Sequence, residues 1–196
     1  MEQKPRKTDR RTLYTKGVIK EAFLAALKTK AYDKITVSDL CKAAEINRST
    51  FYLHYADALA VFDEILEELL DKITAGVQTV LSANPTMDIA DCFRYATTAQ
   101  AGLLGDKRTA FVLSKGFMYP HFVDRFSEQM ARQMLPHLRG GQTLCETDRL
   151  LLLKSMMFAS VALSSNYLET HKQKELPAYT ALLAEYLFTP CLEKLM

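Results

Sequence analysis

Three observations predict an all-α chain with a helix-turn-helix unit near its N-terminal end and a helical bundle after it. Apolar residues recur at three- and four-residue spacing along most of the 196 residues, and the alternation of β-branched residues that marks strands is nearly absent. Two helix starts, at Thr36 and Asn47, stand eleven residues apart, which leaves room for a helix of about two turns, a tight turn and another helix. Positive charge collects around that pair: residues 1–55 hold twelve Lys and Arg against six Asp and Glu, a balance of +6, whereas the whole chain carries only +2.

The composition excludes several classes of function. At 48% hydrophobic the chain can bury a real core in one or two small domains, and seven Gly and six Pro argue against long loops. No apolar run reaches 18 residues, and the basic N-terminal stretch lacks the apolar segment of a secretory signal. Cysteines 41, 92, 145 and 191 are scattered without a Cys-x-x-Cys, so they read as small hydrophobes in a reduced, cytoplasmic setting. There is no Gly-x-Ser-x-Gly, no Gly-rich phosphate loop and no His-Glu-x-x-His. No enzyme, cofactor or metal is expected; His121 and Asp124, three residues apart, are too little for a metal site.

Lys4, Arg6, Lys7, Arg10 and Arg11 form a short basic arm that can follow phosphates or enter a minor groove, or simply solubilise the chain. The first helix is expected over residues 12–29, because Val18, Ile19, Ala22, Phe23, Ala26 and Leu27 make one apolar face. It covers the helix pair, which alone is too small to bury a core. The second helix is expected over 37–44. Thr36 followed by Asp39 forms a variant capping box, and Ile35 with Leu40 fits a hydrophobic staple. Asn47 is the expected cap of a third helix reaching Tyr55, with Ile46 and Phe51 at the same staple spacing. On that helix Phe51 and Tyr55 point inward. Ser49 and Leu53 point outward, flanked by Thr50 and Tyr52, with Arg48 and His54 near the edges. These are groups for phosphate oxygens and base edges, and an outward leucine suits a thymine methyl or a sugar.

The run Ile35-Thr36-Val37 through Asn47-Arg48-Ser49-Thr50-Phe51-Tyr52-Leu53-His54-Tyr55 resembles the DNA-binding domain of the tetracycline-repressor (TetR) family of bacterial transcription regulators, over about residues 10–65. The resemblance implies a third helix in the major groove, in a dimer on double-stranded DNA. It places Tyr52 and His54 on the DNA backbone and brings Arg48, Ser49 and Leu53 to bases. Thr36, Ser38 and Thr50 complete the candidate DNA-contacting set. Two departures stand out. Glu45 occupies a turn position usually held by Gly, and positions 56 and 58, where a phosphate-binding Lys is common, are both Ala.

A long fourth helix is expected over 57–82, capped by Asp57, with Leu59, Phe62, Leu66, Leu69, Ile73 and Val80 as its stripe and an early acidic run read as a solvated face. The domains then divide as 1–56 and 57–196. Further helices are expected over 88–104, 107–115, 120–138, 147–171 and 176–188, about nine in all. Phe93, Phe111, Phe117, Met118, Phe122, Phe126, Met130, Met157 and Phe158 supply adaptable material for a small-molecule pocket, or ordinary core. In the last two helices, small residues (Ala159, Ser160, Ala162, Ser164, Ser165) and the stripe Tyr179, Leu182, Leu183, Tyr186 and Leu187 suit a two-fold four-helix interface in a homodimer. The function expected is a ligand-responsive regulator, a repressor released from a palindromic operator by a small, largely apolar molecule. The alternative is a non-enzymatic interaction protein or co-activator on the same fold, with weak or no DNA binding.

Overall fold

The computed structural model describes residues 7–84, 107–116, 119–137 and 145–169, with Ala178, Leu182 and Glu185. All regular elements among the described residues are helical. They are α1 (Lys7–Ala26), a 3-10 turn (Tyr32–Lys34), α2 (Val37–Ala43), α3 (Arg48–Tyr52), α4 (Ala58–Ala83), α5 (Lys107–Gly116), α6 (Pro120–Met134) with a 3-10 turn (Leu135–His137), and α7 (Glu146–Glu169). The expected helices over 88–104 and 176–188 fall outside the described residues, apart from Ala178, Leu182 and Glu185 in the latter.

Two compact units divide within α4: Met1–Glu68 and Leu69–Met196. The expected division lies at residue 56, at the start of α4, and the first turns of α4 pack with the N-terminal unit. Its buried face there is Ala58, Val61, Phe62, Ile65 and Leu66, at helical spacing. Leu59, expected in that stripe, is exposed, because Ala58 and Val61 take the inward positions on either side of it. Phe62 is fully buried and stacks against Phe23 at 5.3 Å and Tyr32 at 5.7 Å between ring centroids. Ile19, Phe23 and Leu27 of the α1 region, Leu40 of α2 and Phe51 of α3 complete this core.

The acidic start of α4 is not simply solvated. Lys16 Nζ lies 2.8 Å from Glu64, and Lys20 Nζ bridges Glu64 at 2.7 Å and Glu68 at 2.6 Å. Partial burial opposes charge at Lys20, yet its two carboxylate partners outweigh that and raise its pKa. Burial likewise opposes charge at Glu64, and the lysines outweigh it and lower its pKa. Charges on different helices a small distance apart leave no periodic mark in sequence, so this pairing was not legible there.

In the second unit α6 packs along α7, and α5 also meets α7. Pro120 stands in the first turn of α6, where its missing N–H costs nothing. Lys154 of α7 reaches Asp124 at 2.7 Å and Glu128 at 3.4 Å on α6. Gln133 Nε2 donates to the Thr74 carbonyl at 3.3 Å, tying α6 to the later turns of α4.

Gly76 is exposed in the middle of α4, and a Cβ there would meet nothing within 4 Å. Gly76→Ala is therefore expected to stabilise the chain by about 0.4–1 kcal/mol, because alanine restricts the unfolded chain without straining the helix. Thermal unfolding of the two proteins side by side checks this; a lower Tm for the variant would contradict it.

Candidate nucleic-acid interface

The α2 start is built as the sequence predicts. Thr36 is extended, its hydroxyl accepts from the Asp39 N–H at 3.2 Å, and Asp39 accepts from the Thr36 N–H at 3.0 Å. The Thr36 hydroxyl also donates to Asp39 Oδ2 at 2.8 Å, and Lys30 Nζ sits 2.9 Å from Oδ1. The ammonium of Lys30, then the Thr36 backbone and hydroxyl, hold the Asp39 carboxyl down to about 2. The sign of the pH dependence follows. A depressed folded-state pKa gives stability that is complete above the ordinary carboxyl value near 4 and fades as pH falls toward 2. Asp39→Asn should thus lower Tm at neutral pH, with the gap to wild type closing between about pH 4 and pH 2. A pH-independent gap in paired melts would contradict this.

The turn after α2 closes as a Schellman motif. The Ile46 N–H bonds the Cys41 carbonyl at 3.0 Å, and the Glu45 N–H bonds the Lys42 carbonyl at 3.4 Å. Glu45 has φ of 53°, the only positive value at a non-glycine residue among those described. A left-handed residue with a Cβ costs roughly 1–2 kcal/mol, which explains why this position favours glycine.

Asn47 is extended and its carbonyl accepts the Phe51 N–H at 3.1 Å, so it stands where a cap belongs. Its side chain, however, makes no capping bond, contrary to expectation. The third helix is also shorter than expected, ending at Tyr52, with the His54 and Tyr55 N–H groups both turned to the Phe51 carbonyl. Such a short helix cannot persist unaided; it is held by packing. Phe51 is fully buried and Tyr55 nearly so, with centroids 5.8 Å apart. Lys16 Nζ lies 5.2 Å over the Tyr55 ring. Burial, then the nearby Glu64 carboxylate, pushes the Tyr55 phenol well above its ordinary range.

With that side inward, the opposite side is presented to solvent. Arg48, Ser49, Tyr52 and Leu53 are exposed, Leu53 at 80%, while Thr50 and His54 are half-buried. Tyr52 is oriented from beneath by an edge-on contact with Phe51 at 5.6 Å, and its hydroxyl accepts from Arg48 Nη2 at 3.4 Å. Ser38 is exposed on α2. Thr36 is exposed too, but its hydroxyl proton is engaged by Asp39. Ala56 is exposed and Ala58 is buried, and neither supplies the cation that the resemblance leads one to expect after His54 and Tyr55. Asp57 Oδ1 accepts from the Ala60 N–H at 2.9 Å and caps α4 as expected.

The charge around this face is more selective than the balance of +6 suggests. Lys16, Lys20, Lys30 and Lys34 are held in ion pairs. Among the described residues of this unit, Arg10, Arg11, Lys28, Lys42 and Arg48 are exposed and make no ion pair. Lys7, Arg10 and Arg11 lie within α1, which starts earlier than expected, and are not part of an extended arm. Lys42 escaped the sequence reading, since a phosphate-facing lysine and a solvated one look alike in a helix.

Of the candidate pocket residues, Phe122, Phe126, Met130 and Met157 are buried in the second unit and Phe111 is half-buried. Phe158 is 41% exposed on α7 and does not belong with them. Phe93, Phe117 and Met118 lie outside the described residues.

Fold and exposed face together define an all-helical helix-turn-helix protein. No protein-family model matches the chain. An uncharacterized HTH-type transcriptional regulator, YxbF of Bacillus subtilis, is 34% identical over 76 residues, and the HTH-type transcriptional regulator EthR of Mycolicibacterium smegmatis is 31% identical over 81. These matches span 38% and 39% of this chain, but only 19% and 37% of those proteins. Among solved structures, a TetR transcriptional regulator from Streptococcus agalactiae superposes with a TM-score of 0.62 at 21% identity, covering 91% of this chain and 97% of that one. The fatty acid degradation regulator FadR of Bacillus halodurans gives 0.59 at 15% identity, over 95% and 98% of the two chains. The dihydroxyacetone kinase operon activator DhaS gives 0.55 at 15%, over 88% and 94%. The fold is that of the TetR transcriptional regulators, and both sequence relatives are HTH-type transcriptional regulators.

Proposed function

We propose that the chain is a DNA-binding transcriptional regulator whose α3 enters the major groove. The observation that carries this reading is the exposed set Arg48, Ser49, Tyr52 and Leu53 on a short helix fixed from behind by Phe51 and Tyr55. A leucine 80% exposed beside an arginine and a tyrosine is poorly explained as a solvated surface and well explained by base edges and a sugar–phosphate backbone. Tyr52 and His54 are assigned to phosphates, Arg48 and Leu53 to bases, and Ser38, Ser49 and Thr50 to either. The unpaired Arg10, Arg11, Lys28 and Lys42 supply sequence-independent attraction.

The functional unit is a homodimer on a near-palindromic operator. Leu151, Ser155, Phe158, Ala159 and Ala162 are exposed along one side of α7, a partly apolar face of the kind that a second copy would cover. A small, largely apolar effector bound in the second unit favours one arrangement of the dimer over the other and releases the operator, which makes the protein a repressor. Differential affinity for the two arrangements is what such release requires.

Selection of genomic fragments followed by footprinting tests the reading. Two protected half-sites centred about 34–36 Å apart, or a multiple of that, are expected. An unselected pool would instead favour the interaction-protein reading, which the uncharged Ala56 and Ala58 motivate.

A further inference from the structure

Ser127 is the one polar residue in the buried set of the described chain; it is 0% exposed, and its hydroxyl has no hydrogen-bond partner. Other helical hydroxyls here donate to the preceding turn: Thr74 to the Leu70 carbonyl at 2.7 Å, Thr79 to Ala75 at 2.8 Å, Ser114 to Phe111 at 2.8 Å and Ser155 to Leu151 at 2.9 Å. Ser127 forgoes that bond. A buried hydroxyl left unpaired is costly, and alanine in its place would be cheaper. Met130 and Met134 share the buried side of α6 with Ser127, and Met156 and Met157 are buried on α7, which packs along α6. Methionine side chains are unbranched and rearrange readily, which suits them to fit around a guest.

We propose that Ser127 is the polar anchor of an effector site on the buried side of α6, and that the effector is an uncharged amphiphile with an apolar body and one hydroxyl or carbonyl. The proposal deepens the ligand-responsive reading above and rests on it. A neutral head group follows from the anchor, since a serine hydroxyl pairs with a neutral group at no cost in buried charge. The competing anchor is Arg149, whose Nε is also buried and unpartnered. It would select a carboxylate.

The test uses the full chain, thermal unfolding and three eight-carbon probes: 1-octanol, octanoate and 1-chlorooctane. Ser127→Ala is expected to raise the Tm of the probe-free protein by about 2–4 °C, since it removes an unpaired buried hydroxyl. On wild type, 1-octanol should raise Tm more than either other probe, and this advantage should vanish in Ser127→Ala. An unchanged or lower Tm for the probe-free variant would mean that the hydroxyl is already satisfied, for instance by a bound water, and would overturn the proposal. So would an octanol advantage retained in the variant, a preference for octanoate, or no response of wild type to any probe. Operator binding measured on the same samples separates the two levels. Retained DNA binding with any of these failures removes the Ser127 site and leaves the DNA reading intact.

Discussion

Phe51→Ala is expected to cost about 3–5 kcal/mol of stability, the usual range for removing a fully buried phenylalanine. Phe51 is 0% exposed and is the residue through which the five-residue α3 is held to its unit. Two consequences should appear together. The N-terminal unit should unfold at a lower temperature, and operator affinity should fall further than that unfolding explains, because Tyr52 loses the edge-on contact that orients it. Phe51→Leu, which keeps most of the volume, should recover much of the stability but not the ring contact. Unfolding curves and binding isotherms on the three proteins check this. A Phe51→Ala protein that melts and binds like wild type would mean that α3 is supported in some other way.

Arg48→Ala is expected to weaken operator binding by roughly 10- to 100-fold, about 1–3 kcal/mol, without lowering Tm. Arg48 is exposed, makes no ion pair, and hydrogen-bonds the Tyr52 hydroxyl on the same helix, so its removal leaves the core unchanged. The loss should fall on particular sequences. An arginine that reads a base edge carries specificity, whereas one that meets a phosphate weakens all sequences alike and reduces the salt slope by about one. Affinities for the operator and for variants at each position distinguish these. A uniform loss across sequences would move Arg48 from base reading to backbone positioning.

Much of this unit was legible in the sequence because its signals are local. The Thr36–Asp39 box, the inward Phe51 and Tyr55 and the Asp57 cap all follow from spacings of a few residues, and all appear in the structure, while the left-handed Glu45 stands at the turn position that the resemblance marks. The departures come from interactions that spacing does not encode. The Asn47 side chain gives no cap even though its backbone sits at the cap position. The early acidic run of α4 looked solvated until α1 supplied Lys16 and Lys20. Leu59 and Phe158 are large and apolar yet exposed. On a helix with apolar residues on several sides, such as α7, periodicity does not say which face is covered. Ser127 gave no signal at all, since an unpaired hydroxyl is a property of three-dimensional surroundings.

The measurement that bears most directly on the central claim is competitive binding of a selected operator and a scrambled duplex, titrated from 50 to 200 mM salt, for wild type and Arg48→Ala. Wild type should prefer the operator by about 10³-fold or more, with log affinity falling linearly against log salt. Arg48→Ala should keep most of the salt slope and lose much of the preference. No preference in wild type, or a preference that Arg48→Ala leaves untouched, would contradict the assignment of α3 as the helix that reads DNA.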